Sequence, residues 1–304
     1  TRLFSRKREK ASSRTMTEIA VLTPDAADPS YAGQWPGVLD RLTEALATAG
    51  LTAVPSAWTD HIKDASGLMR FPLVLPVIAW GYHRDHDRWM QACANWEAAG
   101  VKMLNPPSVL GWNSDKSYLG RLAEQGVAIP DTVWIDGPTQ ADADAAFDRF
   151  GVDQVVVKPR VSGGAHKTLR LSRGEAMVGA PEGPAMIQPY LPSIETEGET
   201  SLLFFGGKLS HVVNKRPVPG EFRVQVQYGG GYVALPEPPA AALALAERTL
   251  AAIDEDLLYA RIDMAPDAEG GWLLMEAELI EPDFYLGSAP VGGRRFAEAV
   301  RARL

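Results

Sequence analysis

Residues 272–280 read Trp-Leu-Leu-Met-Glu-Ala-Glu-Leu-Ile, an apolar run that contains two acidic side chains. A second apolar run, Leu258 to Met264, precedes it, and the turn residues Pro266-Asp-Ala-Glu-Gly-Gly271 separate the two. This pattern predicts two neighbouring strands joined as a hairpin. We expect one side of the second strand to face the core. The residues on that side are Leu273, Met275, Ala277 and Leu279.

The opposite side of the same strand is acidic. Glu276 and Glu278 lie two positions apart, so their side chains point to the same face. Asp263 lies on the partner strand, thirteen residues before Glu276. Three carboxylates that share one volume repel each other unless a cation lies among them, and Mg²⁺ takes carboxylate oxygens together with phosphate oxygens. The hairpin therefore predicts a magnesium site beside a bound phosphate; the alternative is a solvated face of an edge hairpin.

A Gly-rich loop follows another strand in the middle of the chain. The run Val155-Val-Val-Lys158 predicts a strand that ends on a lysine, and Ser162, Gly163, Gly164 and Lys167 follow it. Glycines allow backbone N–H groups to converge on an anion. No glycine directly precedes Lys167 and the next segment is strand-like, so the loop is not a P-loop. We interpret it as a phosphate-binding loop, with an ordinary glycine turn as the alternative.

Composition excludes several classes of protein. The chain has 304 residues, 46% hydrophobic and 22% charged, which is enough apolar material for two or three globular lobes. Its single cysteine, Cys93, excludes a disulfide framework and a Cys-rich zinc site, and fits a reducing, cytoplasmic compartment. No apolar run reaches the roughly 18 residues that span a membrane. The net charge of −8 argues against nucleic acid as a partner.

The chain divides into four segments. Residues 1–15 contain six basic side chains and one acid, and we interpret them as a leader or tag because Met16 stands directly before the first strand-like run. A transit peptide is the alternative. Strands alternate with helices over residues 16–110, which predicts a small parallel α/β lobe. Residues 111–190 predict a central lobe, and residues 191–304 a C-terminal lobe that contains the acidic hairpin.

The order of these charged segments resembles the ATP-grasp superfamily of carboxylate–amine ligases over roughly residues 16–290. The resemblance implies an α/β (α+β) ATP-grasp fold with an N-terminal Rossmann-like pre-ATP-grasp lobe, and ATP bound between the central and C-terminal lobes. It implies nucleotide contacts from Lys116, Lys158, Ser162, Gly163, Gly164, Lys167, Gln188, Tyr190 and Leu191. Glu199 falls at the ribose-binding acid, but the hinge has one extra residue, so Glu195 or Glu197 is an alternative.

The resemblance also implies the catalytic and metal residues. Lys215 falls at the cation of the γ-phosphate, and Arg223 at the arginine that meets the acyl phosphate. Asp263, Glu276 and Glu278 fall at the ligands of one or two Mg²⁺, with Mn²⁺ as an alternative. The family usually has asparagine where this chain has Glu278, which keeps an oxygen ligand and adds a negative charge.

A closer resemblance is to the branch that contains the cyclo-ligase of D-cycloserine biosynthesis. It is carried by Trp80-Gly-Tyr-His83, Asn105-Pro-Pro107, Trp112-Asn-Ser-Asp-Lys116 and Leu274-Met-Glu-Ala-Glu-Leu-Ile-Glu-Pro282. It implies that a carboxylate becomes an acyl phosphate that an amine nitrogen attacks, with release of ADP and phosphate. The specific expectation is closure of O-ureido-D-serine to D-cycloserine, an antibiotic.

Two other functions stay open at this point. The first is an intermolecular ligase that forms a dipeptide or a glutathione-like product, although Ser201 stands where glutathione synthetase has an arginine. The second is a non-catalytic ATP-binding module. In each enzymatic case the resemblance implies a small amino-acid-like substrate and a homo-oligomer, either a dimer or a tetramer.

Overall fold

The computed structural model describes residues 16–304, which form three sheets and the helices packed on them. The predicted leader or tag, residues 1–15, lies outside the described residues. The strands are β1 (Thr17–Thr23), β2 (Leu51–Ala57), β3 (Val74–Leu75), β4 (Val133–Asp136), β5 (Gln154–Pro159), β6 (Leu169–Ser172), β7 (Pro184–Pro189), β8 (Glu199–Phe205), β9 (Lys208–Arg216), β10 (Gly231–Leu235), β11 (Tyr259–Pro266) and β12 (Trp272–Glu278). The helices are α1 (Trp35–Ala47), α2 (Ser66–Met69), α3 (His86–Ala98), α4 (Pro107–Asn113), α5 (Tyr118–Glu124), α6 (Gln140–Phe150), α7 (Ser193–Thr196), α8 (Ala240–Ile253) and α9 (Arg294–Arg301).

The first sheet is parallel, with strand order β2-β1-β3. Strands of a parallel sheet are covered on both faces, and residues 19–22 of β1 are accordingly apolar and fully buried. Helix α1 covers one face with Leu42 and Leu46. The C-terminal helix α9 adds Phe296 and Val300 to the same core, so the end of the chain completes the N-terminal lobe.

The second sheet is antiparallel, with strand order β4-β7-β5-β6. Helix α6 covers it with Ala143, Ala146 and Phe147. This helix begins at a capping box formed by Thr139 and Asp142, which pairs N–H groups that the first turn leaves without partners. The strand predicted at Val155–Lys158 is present within β5.

The third sheet is also antiparallel, with strand order β10-β9-β8-β11-β12. The predicted hairpin is present as β11 and β12, and Asp263 lies directly opposite Glu276. Helix α8 covers one face of this sheet together with α5, whose residue Tyr118 donates a hydrogen bond to the carbonyl of Ala277 at 3.1 Å. Helix α5 therefore packs on the C-terminal sheet, although it lies inside the segment predicted as the central lobe.

One detail of the predicted core face is wrong. The register of β11 and β12 shifts between Asp263 and Met264, so that Met264 pairs with Leu274 and residue 275 has no partner across the ladder. This β-bulge breaks the alternation of side chains. Leu274 is fully buried in the core instead of Leu273, and Met275 faces a cavity beside Glu276.

No helix in the described part of the chain is long and apolar enough to cross a membrane.

Candidate active site

A cavity of about 560 Å³ lies between the second and third sheets, where the N-terminal lobe adjoins them. This volume is in the usual range of ligand sites. Strands of these two sheets and the loops that follow them line it, together with residues of the N-terminal lobe that include Val77, Trp80 and Tyr82. The predicted site residues that line it are Lys116, Lys158, Ser162, Gly163, Gly164, Gln188, Tyr190, Leu191, Glu199, Lys215, Arg223, Asp263, Glu276 and Glu278.

Lys167 and Glu195 do not line this cavity. Lys167 lies on the outer side of the loop with an exposed side chain. Glu195 accepts hydrogen bonds from Tyr190 at 2.5 Å and from Arg170 at 2.7 Å, with its side chain 42% exposed. Of the alternatives for the ribose-binding acid, Glu199 is the one inside the cavity.

The floor of the cavity is an array of paired charges on the third sheet. Glu199 on β8 lies opposite Lys215 on β9, and their side chains form an ion pair. On the other side of β8, Asp263 lies opposite Glu276 and Arg261 opposite Glu278. Acidic and basic side chains alternate in this array, so that each buried carboxylate has a cation beside it.

Asp263 lies at the centre of the array and is almost fully buried. Its carboxylate accepts hydrogen bonds from Ser201 at 2.6 Å, from Lys215 at 3.0 Å and from Arg261 at 3.0 Å. Burial alone would raise the pKa of Asp263, but the positive charges of Arg261 and Lys215 outweigh it and hold the pKa well below its usual range. Asp263 is therefore ionised at neutral pH.

Glu276 and Glu278 are each held by one cation. Lys116 donates to Glu276 at 2.7 Å, and Arg261 donates to Glu278 at 2.5 Å. Burial and the neighbouring acids Glu276 and Asp263 raise the pKa of Glu278 to about 7, although Arg261 opposes the shift. The carboxyl group of Glu278 therefore titrates near neutral pH.

The three predicted magnesium ligands are each paired with a cation. Among residues 16–304, no three Asp, Glu, His or Cys side chains are grouped to hold a metal ion. Lys116, Lys215 and Arg261 neutralise the carboxylates in this arrangement. The oxygen donors nevertheless suit Mg²⁺, since Glu276 and Glu278 are 32% and 28% exposed toward the cavity.

Lys158 faces the cavity from the end of β5 without an ion pair. Within the described residues its ammonium group has no salt-bridge or hydrogen-bond partner, in contrast to Lys116 and Lys215. Burial, reinforced by the positive charge of Lys116, lowers the pKa of Lys158 to about 8. A half-buried ammonium that lacks a carboxylate partner is suited to bind an anionic ligand such as phosphate.

The Gly-rich loop after Lys158 forms the adjacent wall of the cavity. Gly163 packs on the ring of His83, where a β-carbon would lie 3.1 Å from the Nδ1 atom. Gly164 has a φ of +59°, a conformation that favours glycine. Its carbonyl points to Gln227 and Tyr228 of the segment before β10, so the two loops meet above the cavity.

The hinge between the two antiparallel sheets is apolar on its cavity side. The side chain of Gln188 donates a hydrogen bond to Thr132 at 3.0 Å, which fixes the end of β7. Leu191 and Ile194 after the hinge and Met275 at the bulge add apolar surface. The cavity therefore combines apolar surface at the hinge with the ammonium group of Lys158.

Arg223 reaches the cavity from the loop between β9 and β10. It forms a two-point ion pair with Glu221, at 2.9 and 2.7 Å, and lies 3.6 Å above the ring of Tyr228. The hydrogen bonds from Arg223 lower the pKa of Glu221 to about 2. Arg223 would have to leave Glu221 to contact a substrate directly.

Sequence reasoning missed Arg261, which neutralises both Asp263 and Glu278. The signal was present, because Arg261 and Asp263 are two positions apart on β11 and so share a face. It also missed Glu281, which lines the cavity from the turn after β12. No spacing rule identifies that residue, since it lies outside any regular element.

Comparison with known proteins identifies the family. Residues 19–105 match the family described as the N-terminal domain of the D-cycloserine synthetase DcsG. The cycloserine biosynthesis protein DcsG of Streptomyces lavendulae is 30% identical over 284 residues, which cover 86% of this chain and 92% of that protein. The chain belongs to the DcsG family of ATP-grasp ligases.

Two further comparisons place the chain among ATP-grasp ligases and differ in how much of it they cover. The crystal structure of D-cycloserine synthetase DcsG superposes with a TM-score of 0.76 at 26% identity, and the match covers 94% of this chain and 99% of that chain. A glutathione synthetase of Prochlorococcus marinus is 33% identical, but over 153 residues that cover 47% of this chain and 45% of that protein. The predicted ATP-grasp fold is confirmed, and this member of the DcsG family is an ATP-dependent ligase that forms a C–N bond.

Proposed function

We propose that the enzyme uses ATP to close O-ureido-D-serine into D-cycloserine, with release of ADP and phosphate. One observation carries the proposal: a single cavity combines the free ammonium of Lys158 with the array of carboxylates and cations around Asp263. The similarity to DcsG along almost the whole chain supports this choice of substrate. The glutathione-like alternative has weaker support, because that similarity covers about half of the chain.

The nucleotide is expected to lie along the wall formed by the second sheet. Lys158 and the backbone of the Gly-rich loop would bind its phosphates, and the apolar hinge at Tyr190 and Leu191 would hold the adenine. Glu199 would accept a hydrogen bond from the ribose. All of these residues line the one cavity. A nucleotide bound in this way would direct its γ-phosphate toward the third sheet.

Asp263, Glu276 and Glu278 are the residues that would hold one or two Mg²⁺, or Mn²⁺. When bound, the metal would neutralise phosphate oxygens and polarise the γ-phosphate. Metal binding to these carboxylates would free Lys116 and Arg261 from their present partners. Both side chains would then face the anionic groups of the reactants.

The substrate carboxylate would attack the γ-phosphate and form an acyl phosphate. Lys215 and Arg261 lie within the array and would stabilise the negative charge that develops in this step. A nitrogen of the same substrate would then attack the acyl carbon, and phosphate would leave. Water would cleave the bond between this nitrogen and the carbamoyl group, which would leave as carbon dioxide and ammonia, because D-cycloserine lacks it. Arg223 would stabilise the second step once it separates from Glu221.

We also propose that the enzyme acts in the cytoplasm, where ATP is available, and that it is a homo-oligomer, either a dimer or a tetramer. Size-exclusion chromatography with light scattering measures the mass directly. A protein that elutes as a monomer at micromolar concentration would contradict the oligomer.

The test of the proposed function is a mass-spectrometric assay of product and nucleotide together. The enzyme is incubated with Mg-ATP and either O-ureido-D-serine or its L enantiomer. D-cycloserine and ADP formed in equal amounts from the D enantiomer are the expected result. ADP formed only when a second amino acid or amine is added would replace cyclisation with an intermolecular ligation. Glu276→Ala is the matched inactive variant.

A further inference from the structure

Glu281 is an acidic side chain of the cavity that, like the basic side chain of Lys158, has no oppositely charged partner. Its side chain is half-buried, lines the cavity, and has no hydrogen bond or ion pair with any described residue. Four other acids that line the cavity, Glu199, Asp263, Glu276 and Glu278, each have a cation within contact distance. An unpaired carboxylate in such a place is costly unless a ligand supplies the partner.

The backbone on the N-terminal side of Glu281 is fixed by side chains of other elements. Asn113 accepts a hydrogen bond from the N–H of Leu279 at 3.0 Å, and Tyr259 donates one to the carbonyl of Ile280 at 2.6 Å. Pro282 follows and restricts the backbone further. The carboxylate is therefore presented from a rigid turn, as a specific binding group requires.

Glu281 and Lys158 share two charged neighbours and differ in the others. Lys116 and Glu276 act on both groups. Glu199 acts on Lys158, whereas Glu278 and Arg261 act on Glu281. The carboxylate also acts on Tyr82 of the N-terminal lobe, where it adds to burial in raising the pKa of the phenol. Glu281 thus faces the side of the cavity that the N-terminal lobe closes.

The cations near Glu281 are already used by other acids. Lys116 contacts Glu276 at 2.7 Å, and Arg261 contacts both Asp263 and Glu278. Burial and the neighbouring Glu278 raise the pKa of Glu281 well above its usual range, which favours a proton on this group. A cationic group of a ligand would stabilise the carboxylate in place of that proton.

We propose that Glu281 binds the α-ammonium group of the amino-acid substrate and so selects substrates that carry a free amine. The inference rests on the proposed function, and it adds the residue that recognises the amine. When Lys158 binds the ATP phosphates and Glu281 binds the substrate ammonium group, the substrate carboxylate lies between these two residues, toward the array of the third sheet. The geometry thus orients the reacting carboxylate as well as binding the amine.

The test compares Glu281→Gln with Glu237→Gln, which removes the same charge from an exposed residue outside the cavity. The Michaelis constants for O-ureido-D-serine, for ATP and for Mg²⁺ are measured for both variants and for the wild type. Loss of a charge-assisted contact should raise the Michaelis constant for the amino acid about 10- to 100-fold in Glu281→Gln. The constants for ATP and Mg²⁺ should stay within twofold, and Glu237→Gln should match the wild type.

A substrate analogue that lacks the amino group gives a second readout. The wild type and Glu281→Gln should bind this analogue equally, because the contact that distinguishes them is absent. An unchanged constant for the amino acid in Glu281→Gln, with the wild type active, would overturn this inference alone. A raised Michaelis constant for Mg²⁺ with an unchanged Michaelis constant for the amino acid would overturn the inference and assign Glu281 to metal binding. A wild type that forms no ADP with any amino acid would overturn the proposed function, and this inference with it.

Discussion

Lys158 makes the activity sensitive to alkaline pH. Its pKa of about 8 means that the ammonium is charged below that pH and loses its proton above it. Phosphate binding needs the charged form, so kcat/KM for ATP should fall as the pH rises through about 8, since this ratio reports the free enzyme. Lys158→Arg keeps a charge that does not titrate in this range and should shift the fall to higher pH. Lys158→Met should lower kcat/KM by about 100-fold at pH 7.

Steady-state kinetics between pH 6 and 10 check this prediction. A fall near pH 8 that is the same in Lys158→Arg and in the wild type would assign the titration to another group, and would remove Lys158 from phosphate binding.

Arg261 stabilises the fold as well as the site. It donates hydrogen bonds to Asp263 and to Glu278, and all three groups are partly or wholly buried. Arg261→Met leaves two carboxylates beside one remaining cation, so unfolding in urea should show a loss of about 3–5 kcal/mol. Arg261→Lys keeps the charge but cannot reach both partners, and should lose less. Equal stability of Arg261→Met and the wild type would show that the array does not hold the third sheet together.

At the scale of elements, Gly198 fixes the turn that delivers Glu199 into the cavity. It has a φ of +89°, and a β-carbon there would lie 2.6 Å from the carbonyl oxygen of Lys215. Gly198→Ala must therefore shift β8 against β9 and separate Glu199 from Lys215. Gly126 also has a positive φ, +85°, but no atom lies within 4 Å of a β-carbon at that position. Gly126→Ala is thus the control for backbone strain alone.

We expect Gly126→Ala to lower the free energy of unfolding by about 1 kcal/mol and to leave ATP binding unchanged. Gly198→Ala should lower it by more and should weaken ATP binding at least tenfold, as calorimetry with ATP would measure. Similar behaviour of the two variants would mean that the turn tolerates a side chain, and that the position of Glu199 does not depend on it.

The sequence indicated some elements better than others, for physical reasons. The hairpin of β11 and β12 was predictable because both strands are apolar and a turn separates them. Strand β9 was not predicted, since its residues include Lys208, His211, Asn214 and Lys215. These polar groups are satisfied only by distant parts of the chain; His211, for example, bonds the carbonyl of Phe284 at 2.8 Å. The bulge at Met275 likewise depends on pairing between strands.

At the scale of the whole molecule, Asn105 joins the N-terminal lobe to the third sheet. It is fully buried, donates hydrogen bonds to the carbonyls of Tyr259 and Leu279, and accepts one from the N–H of Leu258. Asn105→Asp removes the donors and places an acid in a buried site. The variant should be less stable by about 2–4 kcal/mol at pH 7.

The effect of Asn105→Asp should depend on pH. Burial would raise the pKa of the new acid in the folded state above its unfolded value of about 4. Stability relative to the wild type should therefore fall as the pH rises above about 4, and recover below it. Urea unfolding at pH 4 and pH 7 measures this difference. A loss of stability that is equal at both values would exclude a buried charge as its cause.

The arrangement of the whole molecule was predicted more by the family resemblance than by the residue patterns alone. The motif around Asn105 contributed to that resemblance, and the structure gives it a structural role between lobes. The charge order from Lys116 to Glu278 indicated a nucleotide site, and most of those side chains line one cavity. The pairing of the carboxylates with Lys116, Lys215 and Arg261 was not predictable, because each pair joins separate segments of the chain.

The central claim is that the substrate carboxylate is activated as an acyl phosphate in this cavity. The measurement that tests it most directly uses O-ureido-D-serine with ¹⁸O in both carboxylate oxygens, and mass spectrometry of the released phosphate. Attack on the γ-phosphate predicts one ¹⁸O in each phosphate, the other in D-cycloserine, and none in ADP. Phosphate without ¹⁸O, or release of AMP and pyrophosphate, would contradict the account.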